Sequence, residues 1–374
     1  MKTQTKHKGR FIISGGGTGG HIFPAVAIAE AIKQKMPDAA ILFVGAVGRM
    51  EMEKIPLAGY DIVGLEVMGL ERKFTLKNFS ILFKMIKSFF KARKIIKDFQ
   101  PDACIGVGGY VSASVLFVAS MMGIKSFIQE QNSYPGITNK ILSKFASKIF
   151  VAYDNLADFF PKDKLVLTGN PVRQDICGVL PDKNAALDFF GLNQTKKTIL
   201  IIGGSLGART INNAIEQHLD VYTQAGYQLL WQTGKGYYDG IIERTKNKDL
   251  NAVHIHQFIK EMNYAYAAAD VIISRAGALS ISELCIVGKP CILIPSPNVT
   301  EDHQTKNAMA LVNKQAALLI TDKEADEKLA NAVLNLLNNK NEQEQLGVNL
   351  KQLAKTNAAE DIVNKIFKEI NDER

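Results

Sequence analysis

Short apolar runs alternate with longer polar or amphipathic stretches along most of the chain, a pattern typical of alternating strands and helices. The runs are rich in Val, Ile and Phe, and several end abruptly in glycine, as buried parallel strands often do. The pattern predicts an α/β protein built on a doubly wound parallel sheet. In the first half of the chain the predicted strands are residues 11–14, 41–44, 61–65, 103–107, 126–129, 149–151 and 165–167.

The alternation is interrupted once and then starts again. Gly169-Asn170-Pro171 breaks it and residues 181–184 add a second polar break, so we place a domain boundary near residue 172. A chain of 374 residues suits two domains better than one, with the first spanning residues 1–171. The segment from residue 326 onward is predicted to be helical and polar. The second set of predicted strands is residues 198–202, 228–231, 253–256, 271–274, 291–294 and 317–320.

A glycine-rich loop, residues 15–20, follows the first predicted strand. Five of its six residues are glycine, and Pro24 fits the first turn of the helix that follows. Outward-pointing backbone N–H groups and a helix N-terminus predict a site for a phosphate or diphosphate. The spacing Gly15-x-Gly17-x-x-Gly20 also matches a dinucleotide fingerprint, which needs an acidic residue at the end of the second strand. That strand ends in Gly-Ala-Val-Gly instead, so NAD is disfavoured.

The second domain opens in the same way, with a loop at residues 203–208. Two tandem domains of this kind are expected to face each other across a cleft, with both loops at the carboxyl ends of their strands. A further strand and small-residue loop precede a helix predicted to begin near Ala278, with Ser280 and Ser282 in its first turn. Its N-terminal amides suit phosphate oxygens, and Glu283 suits a ribose diol. Taken by itself, Glu283 is explained slightly better as an ordinary acid in the first turn of a helix, where the dipole favours it.

The second loop also matches the G-x-S-x-G nucleophile elbow of hydrolases. Asp270 and His303 follow Ser205 in the order that a catalytic triad requires. The first domain has only glycine and threonine at the equivalent place, however, and an HGGG oxyanion motif is missing. We therefore favour Ser205 as a phosphate ligand.

His21 directly follows the first glycine loop, beside the predicted phosphate site. An imidazole titrates near neutral pH, so a general base is one hypothesis and phosphate or acceptor binding is the other. His254 and His256 share a strand face without a third ligand at a recognisable spacing, and Asp-x-Asp is missing from the chain. We expect neither a metal nor another cofactor.

The net charge of +8 is unevenly distributed, because residues 1–171 carry +10 and the remainder of the chain carries −2. Nine Lys and Arg and no Asp or Glu occur between Arg72 and Lys97, in a helical pattern whose other positions are mostly apolar. A solvated basic helix face and contact with an anionic membrane surface are both consistent with this stretch. Nucleic acid is disfavoured because aromatic residues do not interleave with the basic face.

Four cysteines that lie far apart or in apolar runs, without a CxxC pair, indicate a protein with reduced thiols, and we expect it in the cytosol. We find no signal peptide pattern, and the apolar run 111–124 is too short to cross a bilayer.

Seven motifs in one order resemble the family of bacterial peptidoglycan N-acetylglucosaminyltransferases that convert lipid I to lipid II. The resemblance covers about residues 10–308. The motifs are Gly16-Gly17-Thr18-Gly19-Gly20-His21-x-x-Pro24, Gly108-Gly109-Tyr110-Val111-Ser112, Glu130-Gln131-Asn132, Gly169-Asn170-Pro171-Val172-Arg173, Gly203-Gly204-Ser205-x-Gly207-Ala208, Arg275-x-Gly277-Ala278-Leu279-x-x-x-Glu283 and Asp302-x-Gln304-x-x-Asn307-Ala308.

The resemblance implies a GT-B fold, in which an acceptor domain (1–171) and a donor domain (172–350) are followed by a helix at 351–374 that returns to the first domain. It implies UDP-N-acetylglucosamine as donor, lipid I as acceptor, and a β-1,4 linkage formed with inversion. It also implies work at the cytoplasmic face of the cell membrane, with cell-wall and division proteins as partners.

The resemblance also implies roles for single residues. Glu283 would bind the ribose, and the loop before it the diphosphate. His21 is the favoured base and Glu130 the runner-up. The implied donor contacts are Thr18, Gly19, Gly20, Asn132, Arg173, Ser205, Ile259, Ala278, Leu279, Ser280, Ile281, Ser282, Glu283 and Gln304, and the implied acceptor contacts are Gly16, Gly17, Gly108, Gly109 and Tyr110.

Two positions depart from the family pattern. Leu206 stands where glutamine is frequent, which puts one polar donor contact in doubt, and Gln129 stands where histidine is frequent. Two rival functions remain open. One is another UDP-sugar enzyme of the same fold, such as a 2-epimerase or a glycolipid glycosyltransferase. The other is a non-catalytic UDP-sugar-binding protein at the membrane.

Overall fold

The structure is a computed structural model that describes residues 9–67, 77–299 and 302–372, without the side chains of residues 77–85. The chain forms two compact units. Unit 1 consists of Met1–Arg173 with Asn357–Arg374, and unit 2 of Gln174–Thr356.

Thirteen parallel strands are formed by the described residues. Each predicted strand has a counterpart whose ends differ by at most two residues. They are β1 (Arg10–Ser14), β2 (Ala40–Ala46), β3 (Asp61–Leu65), β4 (Ala103–Gly106), β5 (Lys125–Glu130), β6 (Lys148–Val151), β7 (Leu165–Leu167), β8 (Thr198–Ile202), β9 (Gln228–Gln232), β10 (Val253–His256), β11 (Val271–Ser274), β12 (Cys291–Leu293) and β13 (Leu318–Leu319).

Helices connect most of these strands, as the alternating pattern predicts. They are α1 (Gly19–Lys35), α2 (Glu51–Leu57), α3 (Lys77–Phe99), α4 (Tyr110–Met121), α5 (Ile137–Leu142), α6 (Gln174–Cys177), α7 (Lys183–Phe189), α8 (Arg209–Gln217), α9 (Leu219–Gln224), α10 (Tyr238–Thr245), α11 (Met262–Ala268), α12 (Ala278–Val287), α13 (His303–Val312), α14 (Ala325–Asn338), α15 (Lys340–Gln352) and α16 (Ala358–Asn371). Short 3₁₀ helices lie at Asp154–Asp158, Lys162–Lys164 and Asp322–Glu324.

Unit 1 is a seven-stranded parallel sheet in the order β3-β2-β1-β4-β5-β6-β7, with helices on both faces. Successive side chains of a strand point to opposite faces, so Phe11 and Ile13 pack with α1 and α16 while Ile12 packs with α3 and α4. The rings of Phe11 and Phe367 stack with centroids 5.7 Å apart, which fixes α16 to the sheet of unit 1.

Unit 2 is a six-stranded parallel sheet in the order β10-β9-β8-β11-β12-β13. Its apolar strands are buried on both faces, which explains why they read as continuous apolar runs in the sequence. One core cluster joins β8, β9 and β11 to α8 and α14.

The two units share a detail at the amino-terminal ends of their strands. In unit 1, Asp102 Oδ2 accepts the backbone N–H of Arg10 over 2.8 Å. In unit 2, Asp270 Oδ2 accepts the N–H of Thr198 over 2.8 Å. In each case the acid precedes the fourth strand of its unit and binds the first residue of the neighbouring first strand.

The start of α1 differs from the prediction. The helix begins at Gly19, so Pro24 is its sixth residue and not part of its first turn. Gly19 and Gly20 therefore belong to the helix, and their N–H groups are among the four that a helix N-terminus leaves without intrahelical partners.

Candidate active site

Each sheet reverses its strand order at one place, between β1 and β4 in unit 1 and between β8 and β11 in unit 2. Ligands of open α/β sheets bind beyond the carboxyl ends of the strands at such switch points. All four strands end there in glycine-rich or small-residue turns that lead into α1, α4, α8 and α12. The sequence identified these turns, but only the strand order shows that they are neighbours in pairs.

The exposed part of the first glycine loop is formed by Gly17, Thr18 and Gly20. Thr18 is the N-cap of α1 and has extended backbone angles. The prediction that the loop N–H groups all point outward is wrong at two positions, because Gly15 N–H donates to Val44 O over 3.4 Å and Gly17 N–H donates to Glu51 Oε2 over 2.8 Å. The predicted anion site of this loop therefore depends on the first turn of α1, from Gly19 onward.

A second helix N-terminus lies beside the first. Gly109 is the N-cap of α4 with a left-handed φ of 84°. The Ser112 hydroxyl donates to Ser14 O over 2.7 Å, which holds α4 against the end of β1. A Cβ at Gly109 would lie 2.9 Å from Gly16 O, so only glycine permits this approach of the two turns. The predicted acceptor residues Gly16, Gly108 and Gly109 are thus brought together, and the Tyr110 side chain is 55% exposed beside them.

His21 lies between these two turns. Its Nδ1 is 2.8 Å from Gly16 O, and because a carbonyl oxygen only accepts, Nδ1 carries the proton. The other ring nitrogen, Nε2, faces the 108–109 turn, since a Cβ at Gly108 would lie 2.7 Å from it. This tautomer leaves Nε2 as the atom able to take up a proton, which is what a general base needs.

The Glu130 side chain binds to the segment 132–139 that follows it and holds that segment in place. It is 2% exposed at the end of β5, and its Oε1 accepts the backbone N–H of Asn132 over 3.0 Å. Its Oε2 accepts Gly136 N–H over 3.1 Å and Asn139 Nδ2 over 2.8 Å. The Asn132 side chain also donates to Oε1 over 3.2 Å. Four donors occupy the lone pairs that a base would use, so the geometry favours His21 over Glu130 as the base.

Gln129, one of the two departures from the family pattern, is fully buried. Its Nε2 donates to Asn170 Oδ1 over 2.9 Å, and its Oε1 accepts from Gln131. Gln131 Nε2 also donates to Val107 O over 2.8 Å, which joins the ends of β5 and β4. The glutamine therefore completes a buried amide network that sets the position of the 130–132 segment.

Arg173 lies close to the first glycine loop. Its guanidinium carbon is 5.9 Å from the ring centroid of Phe23, which lies one turn into α1. A cation at this place adds positive charge near the N-terminus of α1.

The second glycine loop is fixed by close backbone contacts. A Cβ at Gly207 would lie 2.0 Å from Thr233 O, and one at Gly234 would lie 2.3 Å from Gly207 N. Gln232 Nε2 donates to Gly204 O over 3.1 Å, and its Oε1 accepts the N–H of Ile259 over 2.8 Å. Ser205 and Leu206 are exposed at the tip, so Ser205 is accessible to a ligand.

The helix α12 begins at Ala278, as predicted, with Gly277 as its N-cap. The first intrahelical bond runs from Ile281 N–H to Gly277 O, so the N–H groups of residues 278–280 are oriented along the helix axis toward the 275–277 turn. Glu283, one turn further on, is half-buried, and its Oε2 accepts the Tyr266 hydroxyl over 2.7 Å. The carboxylate is therefore held in place by α11.

A polar cavity of about 490 Å³ lies between the second glycine loop and the turn after β11. Arg275 donates to Ile294 O over 2.9 Å and is paired with Asp322, which also accepts the Thr210 hydroxyl over 2.8 Å. Gln304, a predicted donor contact, lines the cavity and accepts Ser296 N–H over 2.8 Å. The cavity thus joins the N-terminus of α8 to the end of β11.

The hydrolase alternative does not fit this geometry. Asp270 binds the N–H of Thr198 at the amino-terminal end of β8, whereas Ser205 follows the carboxyl end of the same strand. Five strand residues separate the two ends, about 17 Å. Asp270 therefore cannot orient a histidine that serves Ser205.

His254 and His256 lie on the edge strand β10, and the His256 ring meets the Phe190 ring edge to face, with centroids 5.7 Å apart. Burial lowers the pKa of His254 and of His256, the latter also through the neighbouring imidazole. Within the described residues, no three His, Cys, Asp or Glu side chains are grouped closely enough to hold a metal ion. In the same part of the chain, no helix combines the length and apolar character needed to cross a membrane.

Sequence reasoning missed three residues that shape the sites, namely Glu51, Gln232 and Tyr266. Each belongs to no motif and acts on a motif residue from a distant part of the chain. For Glu51 the sequence offered one signal, because an acid shortly after the second strand is also a feature of dinucleotide sites. Glu51 is fully buried, however, so it does not offer its carboxylate to a ribose.

Two family models match the chain in tandem. The glycosyltransferase family 28 N-terminal domain matches residues 11–151, and the glycosyltransferase family 28 C-terminal domain matches residues 198–365.

Individual proteins match over nearly their whole length. Two are UDP-N-acetylglucosamine–N-acetylmuramyl-(pentapeptide) pyrophosphoryl-undecaprenol N-acetylglucosamine transferases. The one from Flavobacterium psychrophilum is 54% identical over 98% of this chain and 99% of its own length, and the one from Cytophaga hutchinsonii is 55% identical over 98% of each. The crystal structure of MurG from Acinetobacter baumannii superimposes with a TM-score of 0.75 at 28% identity, over 96% of this chain and 99% of that one.

Proposed function

The chain belongs to glycosyltransferase family 28, and from this membership we propose that it transfers N-acetylglucosamine from UDP-N-acetylglucosamine to lipid I, forming lipid II for peptidoglycan synthesis. The observation that carries the proposal is the identity of 54% to a transferase of this specificity over 98% of the chain. The predicted fold class, GT-B with two Rossmann-like parallel sheets, is confirmed.

The donor binds to unit 2. The N–H groups at the start of α12 receive the diphosphate of the UDP-sugar, and the exposed Ser205 donates to it from the second glycine loop. Glu283, held by Tyr266, accepts from the ribose hydroxyls. Ile259 and Gln304 are further donor contacts that the family resemblance implies in unit 2, and Thr18, Gly19, Gly20, Asn132 and Arg173 are those that it implies in unit 1.

The acceptor binds to unit 1. Its diphosphate lies against the N-termini of α1 and α4, where two sets of helix amides favour negative charge. Gly16, Gly108, Gly109 and the exposed Tyr110 surround that position.

The reaction is a single displacement with inversion. The acceptor sugar hydroxyl forms the new bond to the anomeric carbon of N-acetylglucosamine while the bond from that carbon to the UDP oxygen breaks. His21 Nε2 takes the hydroxyl proton, and its Nδ1–H stays on Gly16 O. Negative charge on the departing UDP is stabilised by the amides of α12, by Ser205 and by Arg173, without a metal.

Lipid I is a membrane lipid, and unit 1 has a surface suited to a bilayer. The rings of Phe89 in α3, Phe117 in α4 and Phe145 in the turn after α5 form a row, with successive centroids 5.5 Å and 5.6 Å apart. The same three-helix layer exposes large apolar side chains, among them Phe90 and Met121, which are 70% and 71% exposed. Exposed basic residues of the layer include Lys87, Lys91, Arg93 and Lys94.

This combination supports peripheral attachment to an anionic leaflet, to which each Lys or Arg contributes about 1 kcal/mol. We propose the cytoplasmic leaflet as the site of attachment. Of the predicted basic stretch, residues 72–76 lie outside the described residues. Binding to cell-wall and division proteins stays a prediction.

A transfer assay tests the function directly. Radiolabelled UDP-N-acetylglucosamine is incubated with lipid I in detergent, with and without EDTA, and label in the lipid fraction is counted. We expect labelled lipid II in both cases. Label found only in a sugar epimeric at C2, whether free or still linked to UDP, would indicate the epimerase alternative, and UDP-sugar binding without any transfer would indicate a recruiter. If transfer were lost only in the samples with EDTA, the claim that the reaction needs no metal would be contradicted, but not the proposed function.

A vesicle assay tests the membrane surface. We expect co-sedimentation with vesicles that contain phosphatidylglycerol and weaker co-sedimentation of Phe90→Ser. The matched control is Val179→Ser in unit 2, where an apolar side chain is likewise exposed. Equal binding of all three proteins would contradict the assignment of this surface.

A further inference from the structure

Glu51 is a buried acid that has no role in the proposed mechanism. It is the first residue of α2 and is 0% exposed. Its Oε1 accepts the N–H of Ala46 over 2.9 Å, and its Oε2 accepts the N–H of Gly17 over 2.8 Å. A buried carboxylate is costly unless it is well hydrogen-bonded, so its position at the rear of the first glycine loop calls for an explanation.

The peptide group between Gly16 and Gly17 joins this carboxylate to His21. Its N–H donates to Glu51, and its carbonyl oxygen accepts Nδ1–H of His21 over 2.8 Å. Hydrogen bonds therefore connect the carboxylate, this peptide group and the imidazole in series. This arrangement resembles the carboxylate–histidine pair of a catalytic triad, with a backbone peptide inserted between the two side chains.

The protein is built closely around this carboxylate. A Cβ at Gly16 would lie 2.0 Å from Glu51 Oε1, and a Cβ at Gly45 would lie 2.6 Å from its Cγ. Glycine at both positions leaves room for a glutamate side chain to reach the loop peptide.

Hydrogen bonds in series polarise one another, so an anion that accepts from an amide N–H makes the carbonyl oxygen of that amide a stronger acceptor. We propose that Glu51 is a positioning residue that acts through the Gly16–Gly17 peptide to hold His21 in its Nδ1–H tautomer, with Nε2 directed toward the acceptor. The carboxylate also compensates the positive charge that the imidazole gains when Nε2 takes a proton. This role rests on the proposed function of His21 as base.

A purely structural role is the competing explanation, because two backbone N–H groups bind to the same carboxylate. Glutamine has nearly the shape of glutamate, but its amide NH₂ must face one of those donors. The variant Glu51→Gln therefore disturbs the loop as well as the charge, and activity alone does not separate the two roles. The state of the His21 ring does separate them.

The experiment is ¹⁵N and ¹H NMR of protein labelled at its six histidines, with His21 assigned by its loss in His21→Gln. Wild-type protein should show His21 protonated at Nδ1 with a downfield proton signal. In Glu51→Gln that signal should move upfield and the Nε2–H tautomer should increase. The matched control is Glu53→Gln on the same helix, whose side chain is 75% exposed and which should match wild type.

Kinetics give the second measurement. Glu51→Gln should lower kcat by about tenfold or more, within the factor of ~10²–10⁴ that a general base contributes, and leave KM for UDP-N-acetylglucosamine within about twofold. A wild-type His21 protonated at Nε2 would overturn the proposal, even if the variant does not fold. An unchanged His21 signal in folded Glu51→Gln would overturn it as well. Full activity of His21→Gln would instead refute the base role in the proposed function and leave the tautomer result standing.

Discussion

Tyr266 donates its hydroxyl hydrogen bond to Oε2 of Glu283 over 2.7 Å. The tyrosine is 1% exposed and anchored in the core, whereas the glutamate is half-buried on α12. A rigid aromatic side chain thus sets the direction of the carboxylate that we assign to the ribose, and donor binding should depend on both residues.

Replacing Tyr266 by phenylalanine removes this bond and keeps the packing. Hydrogen bonds to charged groups contribute about 1.5–3 kcal/mol, part of which water recovers at a half-exposed carboxylate. We expect KM for UDP-N-acetylglucosamine to rise about tenfold with kcat nearly unchanged, because the lost contact is made equally in ground and transition states. Steady-state kinetics measure both values. An unchanged KM would show that Glu283 does not need Tyr266 to bind the donor.

The second glycine loop depends on Gly207 for steric reasons. Gly207 has a φ of 80°, and a Cβ there would lie 2.0 Å from Thr233 O, a backbone atom that cannot turn aside. We expect Gly207→Ala to displace the loop and to lower the affinity for UDP-N-acetylglucosamine at least tenfold in calorimetry. Gly226→Ala is the matched control, since its φ is 83° and its Cβ would meet no described atom within 4 Å. It should cost only about 1–2 kcal/mol of stability for the left-handed backbone and leave binding unchanged. Equal losses of affinity in both variants would contradict the steric argument.

Glu130 should behave as a structural residue. In Glu130→Gln the side-chain NH₂ faces N–H groups whose hydrogen bonds the wild-type carboxylate accepts. An unsatisfied buried donor costs about 1–3 kcal/mol. We expect a clear decrease in the free energy of unfolding, measured with urea, and reduced activity as a consequence. Asp158→Asn, at an exposed position, should change neither quantity. A Glu130→Gln protein with wild-type stability and no activity would contradict this structural role and indicate that Glu130 is the base.

Unit 2 should lose stability as the solution becomes acidic. Burial holds the pKa of His254 and His256 below the ordinary value of 6.5. Below that pH the unfolded chain binds protons that the folded chain does not, so the stability is complete above pH 6.5 and is lost progressively as pH falls toward the folded pKa values. We expect a smaller decrease in Tm between pH 7.5 and pH 5 when both histidines are replaced by glutamine. His218→Gln should keep the wild-type decrease, and a double variant that also keeps it would contradict this assignment.

Strand positions were predictable because most strands are largely buried on both faces and therefore appear as apolar runs in the sequence. The start of α1 was not predictable, because glycine is a poor helix former and the sequence favours a helix with Pro24 in its first turn. Tertiary contacts override that preference, since α1 is held at the end of β1 and packs against α16.

The glycine-rich turns at the ends of the strands were predictable, because the close approach of backbones requires glycine. The side chains that orient them were not. Glu51 is 34 residues from Gly17, and Gln232 is 28 from Gly204. Such pairs meet only because neighbouring strands end at the same edge of a sheet, and their sequence spacing carries no signal. The false triad of Ser205 and Asp270 arose in the same way, from residue order without strand direction.

The central claim is that the amides at the start of α12 hold the donor diphosphate. A crystal structure with bound UDP-N-acetylglucosamine tests it most directly. We expect the diphosphate against the N–H groups of residues 278–280 and the ribose hydroxyls on Glu283. A nucleotide bound away from the 275–283 segment, for example on the first glycine loop alone, would contradict the account.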